Sequence, residues 1–374
     1  MSLLTQLVNL FFSQRRGEID FFMQHPARVQ QQQLERLLTQ AGGTVFGRDH
    51  GFGKIRTSEA YAAAVPVADY DSFSEYIGRT RTGEQNVLWP TEIKWFAKSS
   101  GTTSAKSKFI PVSDEGLSGC HLRGPMDVIC FFAGLYPKSG VFGGRTLTLG
   151  GSHRLESTGG RAQEGDLSAI LIENTPKWAS WRRTPRPETA LIPDFAEKVQ
   201  AICREAVPQR VTSFAGVPSW NLVLMNRVLE YTGKQNILEV WPEMELFVHG
   251  GMNFNPYREQ YRRIFPSDTM KYMETYNASE GFFAIQDDPS RDDMLLMLDY
   301  GVYYEFLPVS DLGDPSKAVP LEGVKQGVNY AMIISTSNGL WRYQIGDTVE
   351  FTSLAPYKIK ITGRTKHFIN AFGE

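Results

Sequence analysis

Apolar residues recur along the chain with two periods. Early on the period is helical: Leu3, Leu7, Leu10 and Phe11 share one face, which predicts a packing helix. Leu34, Leu37, Leu38 and Ala41 fall at i, i+3, i+4 and i+7, with Gly42-Gly43 as the stop. The QQQQ run at 30–33 reads as the polar face of that second helix. Residues 114–135 predict a further helix, running away from a stretch rich in serine, threonine and glycine. Between 140 and 185 the pattern breaks. GGRTLTLGG is a strand between glycine turns, and TPKWASWRRTPRPET, with three prolines, reads as a surface excursion or lid. Over 216–233 a helix returns, with Pro218 in its first turn, Leu222, Met225 and Leu229 on one face, and Gly233 as its stop.

Beyond 240 the period shortens to that of strands. LFVHGG at 246–251 is an apolar run ending in two glycines. MLLMLDYGVYYEFLPV at 294–309 reads as a hairpin broken at Asp299–Gly301. NYAMIISTSNGLWRYQIGDTVEF reads as another around Asn338-Gly339, and YKIKITGR alternates as one more strand. No internal repeat is present. The order predicts a multi-layer α/β chain: helices first, mixed sheets flanked by helices in the middle, and a β-rich end.

Composition narrows the class. A chain of 374 residues is too long for one simple core, so two or three packed subdomains are expected. Hydrophobic residues at 41% and aromatics at 12% belong to a folded protein. A net charge of -2 supplies no basic field, so neither nucleic acid nor a membrane is expected as a partner. Cys120, Cys130 and Cys203 make no disulfide framework and no C-x-x-C pair, which points to a reducing, cytoplasmic setting. MSLLTQLVNLFF lacks a basic leader, and the apolar stretch Met126–Tyr136 is about half of a membrane span. There is no H-E-x-x-H, no G-x-S-x-G and no zinc spacing; GFG at 51–53 has no third glycine and no strand before it. Hydrolase, protease and dehydrogenase chemistry therefore lack an anchor.

The candidate chemistry begins at KSSGTTSAKSKFIP, residues 98–111. A nucleotide P-loop would share Lys106-Ser107, but Ser100 and Ala105 stand where its two glycines belong, so the backbone could not curl around a phosphate in that way. Two readings remain. One is a different anion loop: Ser99, Ser100, Thr102, Thr103 and Ser104 offer hydroxyls, and Gly101 permits a sharp turn. The following helix adds partial positive charge, and Lys108 a point charge. The other is a solvated polar linker. Apolar segments on both sides favour the anion loop.

That arrangement resembles the phosphate loop of the adenylate-forming superfamily. More narrowly, it resembles the auxin-responsive family of acyl acid amido synthetases, whose loop also begins Ser-Ser-Gly-Thr. Four further stretches follow in the family's order. GVPSW at 216–220 is similar to a signature beside the acyl pocket, which implicates Val217 and Trp220. HGGMNFNPY at 249–257 resembles the strand end along adenine, where Gly250 and Gly251 would let a flat base approach the backbone. YNASEG at 276–281 resembles Tyr-Gly-x-Thr-Glu. Tyr276 would stack on adenine, Ser279 bond the α-phosphate and Glu280 hold magnesium, while Asn277 departs from the usual glycine. LWRYQIGD and GRTKHFIN resemble the segments whose Asp347 accepts from both ribose hydroxyls and whose Arg364 lies near the ribose.

The resemblance implies the fold of an adenylate-forming N-terminal domain with a β-rich, barrel-like C-terminal part. It also implies activation of a small carboxylic acid by ATP and magnesium, then acyl transfer to an amine, expected to be an amino acid. Ser279, Glu280 and Lys108 would be the catalytic groups. Coenzyme A as acceptor, an inactive ATP- or AMP-binding sensor and a kinase-like NTPase are the alternatives. Arg123 could pair with the acid's carboxylate or simply lie over apolar neighbours; Trp178 and Trp181 could cover the acid or sit on the surface. Residues 1–362 would form the large adenylation domain and 363–374 the start of a hinge. The small mobile C-terminal domain that normally follows, a partner in a full-length chain, is not in this sequence. A fragment with reduced turnover is therefore expected.

Overall fold

The computed structural model describes residues 3–99, 107–151, 156–157 and 162–365, with side chains from Leu7 onward apart from Trp178. Ser100, Gly101, Thr102, Thr103 and Ser104 thus lie outside the described residues, as does most of the expected hinge. The strands are β1 (Trp95–Ser99), β2 (Lys108–Val112), β3 (Arg145–Thr148), β4 (Glu156–Ser157), β5 (Gln163–Gly165), β6 (Arg183–Thr184), β7 (Val211–Gly216), β8 (Leu246–Gly250), β9 (Lys271–Ala278), β10 (Gly281–Ile285), β11 (Met294–Leu296), β12 (Val302–Pro308), β13 (Val319–Pro320), β14 (Asn329–Thr336), β15 (Tyr343–Leu354) and β16 (Tyr357–Arg364). They form a four-stranded sheet, β2-β1-β5-β4, and a twelve-stranded one, β13-β12-β14-β15-β16-β11-β10-β9-β8-β7-β3-β6.

The large sheet changes character at β9. From β6 to β9 the strands run parallel. Parallel neighbours need crossovers, and the helices Pro218–Thr232 and Arg258–Ile264 supply them, covering a core that includes Phe214, Phe247 and Met225. From β9 to β13 every pair is antiparallel. This half also curls. β9 and β15 are separated by β10, β11 and β16, which in a flat sheet is about 19 Å. Yet the Tyr276 hydroxyl on β9 donates to Asp347 Oδ2 on β15 at 2.9 Å. The mouth of that curl is the site described below.

Several expectations change. The 294–309 stretch is not a hairpin: β11 pairs with β10 and β16, whereas β12 pairs with β14 and β13. Gln30 explains the divergence. Its amide donates to the carbonyls of Leu298 (3.0 Å) and Val302 (3.1 Å) and accepts from Tyr304 N (2.8 Å), occupying the backbone groups between the two strands. So the first residue of the glutamine run is buried, not part of a polar face. The first helix, Leu3–Phe11, is rotated from its expected setting. Leu7, Leu10 and Phe11 are 57%, 71% and 72% exposed, while Val8 and Phe12 join the core and Asn9 Nδ2 donates to the Ala133 carbonyl at 3.1 Å. That carbonyl lies in the last turn of the helix Arg123–Leu135, where acceptors lack intrahelical donors. Within 174–190, Arg183–Thr184 is an edge strand beside β3.

The helix and hairpin expectations that follow stand. Leu34, Leu37, Leu38 and Ala41 are buried, and the helix Pro218–Thr232 ends at Gly233 in a left-handed conformation. The 114–135 helix is continuous but takes a π-helical turn over Leu117–His121. The hairpin around Asn338-Gly339 forms between β14 and β15. All three cysteines are buried and free. No helix of the described residues is long and apolar enough to cross a membrane. Gly363 and Arg364, where the hinge is expected to start, are the last residues of β16.

Candidate nucleotide cleft

A cleft of about 920 Å³ opens at the mouth of the curl, a size typical of sites for small organic ligands. Ser99, Lys108, Gly251, Tyr276, Asn277, Ser279, Glu280, Asp347 and Arg364 all line it. Five segments remote in sequence meet there: four lie at or beside strand ends, and Asp347 comes from within β15, opposite the last residue of β16. Ser99 closes β1 and Lys108 opens β2, and the two are register partners. Phe96, Ala97, Ile110 and Val112 bury those strands. Gly251 follows β8, Ser279-Glu280 is the two-residue connection between β9 and β10, and Asp347 faces Arg364 across β15 and β16.

Asp347 is the electrostatic centre. Its Oδ2 accepts from Tyr276 and its Oδ1 pairs with Arg364 Nε at 3.2 Å. A carboxylate has about four lone-pair positions, so each oxygen can accept one further hydrogen bond. Burial, then the adjacent Asp347 charge, holds the Tyr276 hydroxyl well above the usual tyrosine range, so it is a fixed donor.

Glu280 is buried and has no ion-pair partner within 4 Å among the described residues. Burial, opposed by a backbone hydrogen bond, and then Asp347 push its carboxyl up to about 7; Lys108 and Arg364 pull the other way. A single buried carboxylate on the cleft wall fits magnesium, which takes one or two carboxylates and completes its shell with phosphate oxygens and water. The described residues contain no cluster of three or more His, Cys, Asp or Glu that would make an all-protein cage.

Gly250 answers to a different neighbour than a base. Gly250 is off the cleft wall, and a β-carbon there would stand 2.4 Å from the Thr275 carbonyl on β9. It is glycine because β8 and β9 crowd it. Gly250→Ala should destabilise the fold by about 1–3 kcal/mol, read as a lower melting temperature, while a cleft-facing role alone would leave stability unchanged. Gly251 does line the cleft and has φ +79.

Four sequence candidates lie elsewhere. Arg123 pairs with Glu18 (2.9 Å) and Asp299 (3.3 Å) beside a separate, small cavity, so it is not a free cation in this cleft. Trp220 is 53% exposed and meets the Phe195 ring, and Val217 stands behind Gly251; neither is on the wall. Trp181 is exposed.

Conversely, the wall includes His249 and Glu274, register partners on β8 and β9, with Phe254 and Arg258 beyond them. Burial, then Arg258, holds the His249 imidazole down at about 3, so it is neutral, and its buried Nδ1 has no partner among the described residues. The strand alternation that places Tyr276 could have flagged Glu274, two residues earlier.

Comparison with known proteins finds matches along most of the chain. The GH3 family N-terminal domain matches residues 15–200 and 161–270, and the GH3 family central domain matches 295–364. The jasmonoyl--L-amino acid synthetase JAR4 of Nicotiana attenuata is 23% identical over 400 residues, an alignment spanning 89% of this chain and 68% of that protein. The putative indole-3-acetic acid-amido synthetase GH3.10 of Oryza sativa subsp. japonica is 23% identical over 364 residues, 86% of this chain and 74% of its own. Among solved structures, the AtGH3.15 acyl acid amido synthetase in complex with 2,4-DB superposes with a TM-score of 0.76 at 18% identity, covering 90% of this chain and 68% of that one. The open conformation of 2-hydroxyisobutyryl-CoA ligase with 2-HIB-AMP and CoA gives 0.57 at 12% identity, covering 89% and 74%. These last two show the fold: a mixed α/β architecture that this chain shares with both. With family matches over well more than half of its length, the chain belongs to the GH3 family.

Proposed function

We propose that this chain activates a small carboxylic acid as its acyl adenylate and transfers the acyl group to the amine of an amino acid. The observation that carries the reading is the convergence of Ser99, Lys108, Tyr276, Ser279, Glu280, Asp347 and Arg364 on one cleft. Asp347 accepts from the ribose hydroxyls, its orientation fixed by Tyr276 and Arg364. The base lies along Gly251 and Asn277 against Tyr276. Ser279 donates to the α-phosphate at the tight β9–β10 connection, and Lys108 offsets its charge from β2. Glu280 would hold magnesium, which would supply neutralisation of phosphate charge. Residues 1–362 form the body that binds ATP and acid.

The chemistry needs no internal nucleophile. A carboxylate oxygen attacks the α-phosphorus, the bond to the β-phosphate oxygen breaks, and pyrophosphate leaves. The amine nitrogen then attacks the acyl carbon, the carbon–oxygen bond to AMP breaks, and the nitrogen sheds a proton. Positioning and charge neutralisation carry the first step, because it brings anionic groups together.

The AMP released in this scheme keeps one oxygen from the acid. With an ¹⁸O-labelled carboxylate, mass analysis should find the label in AMP, together with acid-dependent ATP–pyrophosphate exchange. Release of inorganic phosphate from the γ-position, with no exchange for any acid in a broad panel, would instead make this an NTPase.

A further inference from the structure

Asn338 belongs to the connection between β14 and β15. Reversing the chain there needs Gly339, which has φ +83 and leaves no room for a β-carbon, 2.7 Å from Leu88 Cβ. It does not need a side chain at 338, yet the Asn338 carboxamide is buried at 1% exposure and engaged on both ends. Oδ1 accepts from Ser113 N at 3.0 Å, and Nδ2 donates to the Glu280 carbonyl at 3.5 Å. Ser113 caps the helical run after β2, its hydroxyl accepting from Gly116 N at 2.9 Å and donating to the Ser337 carbonyl at 2.7 Å. The contact is close: a β-carbon on Gly116 would stand 1.8 Å from Asn338 Oδ1. The backbone of Asn338 is itself held, its N donating to Thr336 Oγ1 at 3.2 Å.

We propose that Asn338 is a positioning residue whose carboxamide ties the Ser279–Glu280 connection to the helix that begins at Ser113. It lies off the cleft wall and touches no ligand position. Through it, the β1–β2 side and the β9–β10 side of the cleft's phosphate end keep one separation. Only an amide serves both partners: it offers an acceptor toward Ser113 N and a donor toward the Glu280 carbonyl. Aspartate would keep the first, lose the second and place a charge against a carbonyl oxygen. A wandering connection would misplace Ser279 and Glu280 in the transition state while leaving the contacts to base and ribose alone.

The tie is tested without turnover, and its kinetic consequence rests on the adenylating reading above. In Asn338→Asp of the whole chain, amide hydrogen exchange over 278–282 should accelerate at least tenfold while 113–121 stays within twofold of wild type. Asn338→Ala should loosen both segments. Ser113→Ala removes the helix cap but keeps the Ser113 N donor, so it should loosen 113–121 and leave 278–282 protected. The kcat of acid-dependent exchange should fall at least tenfold in Asn338→Asp with AMP affinity within threefold. Unchanged protection over 278–282 in both Asn338 variants would overturn the tie. A kcat that falls only in step with AMP affinity and melting temperature would reduce Asn338 to a structural residue and overturn the positioning role. Wild-type protein that exchanges with no acid would defeat the proposed function instead, and the hydrogen-exchange result would then decide the tie alone.

Discussion

Glu280→Gln is expected to slow acid-dependent ATP–pyrophosphate exchange by about 10²–10³-fold, the range for removing one preorganised charge-stabilising group, while making the folded protein more stable at neutral and alkaline pH. The two effects have one cause. The Glu280 carboxyl titrates near 7 in the folded chain because it is buried and faces Asp347; in the unfolded chain it titrates at its ordinary 4.5. The folded state therefore holds a proton that the unfolded state has released between those values. Folding loses stability as pH rises through that window, and above it the penalty levels off at about 3 kcal/mol. Glutamine carries no such penalty. Denaturant melts of wild type and variant should coincide near pH 4 and separate with rising pH, the variant ahead. Coincident curves at pH 8 would mean that Glu280 is ionised at no cost. Its burial without a cation would then need another explanation.

Asp347→Ala is expected to weaken AMP binding by about 1–3 kcal/mol, roughly 5- to 150-fold, the loss of charge-assisted hydrogen bonds to ribose. It also strands the buried Tyr276 hydroxyl, whose side-chain acceptor is Asp347. Calorimetry with AMP and with 2′,3′-dideoxy-AMP separates the two effects. The wild type should prefer AMP, and the variant should bind both alike, because the coupling between hydroxyls and carboxylate is gone. Equal preference in both proteins would remove Asp347 from the ribose site.

What the sequence could and could not disclose follows from the range of the interactions. Helix faces and hairpins are local, so Leu34 to Ala41, the stop at Gly233 and the Asn338-Gly339 reversal were readable from spacing alone. The first helix misled because Leu7, Leu10 and Phe11 form the more apolar face, while its burial is decided by Asn9 meeting a carbonyl at Ala133, more than a hundred residues away. The supposed hairpin at 294–309 failed for the same reason. A turn signal at Gly301 says nothing of Gln30, which takes the backbone groups that pairing would need. At the site, the glycines and carboxylates of the matching stretches were visible as motifs, yet Gly250 answers to Thr275 and Arg123 to Glu18 and Asp299. Residue type is visible in a sequence; the partner that uses it is a property of the fold.

The most direct measurement is a crystal structure of this chain with AMP. The account predicts one molecule in the cleft: base against Tyr276 and Gly251, both ribose hydroxyls on Asp347, and phosphate within hydrogen-bond reach of Ser279. AMP bound elsewhere, or in the cleft with its ribose turned away from Asp347, would contradict it.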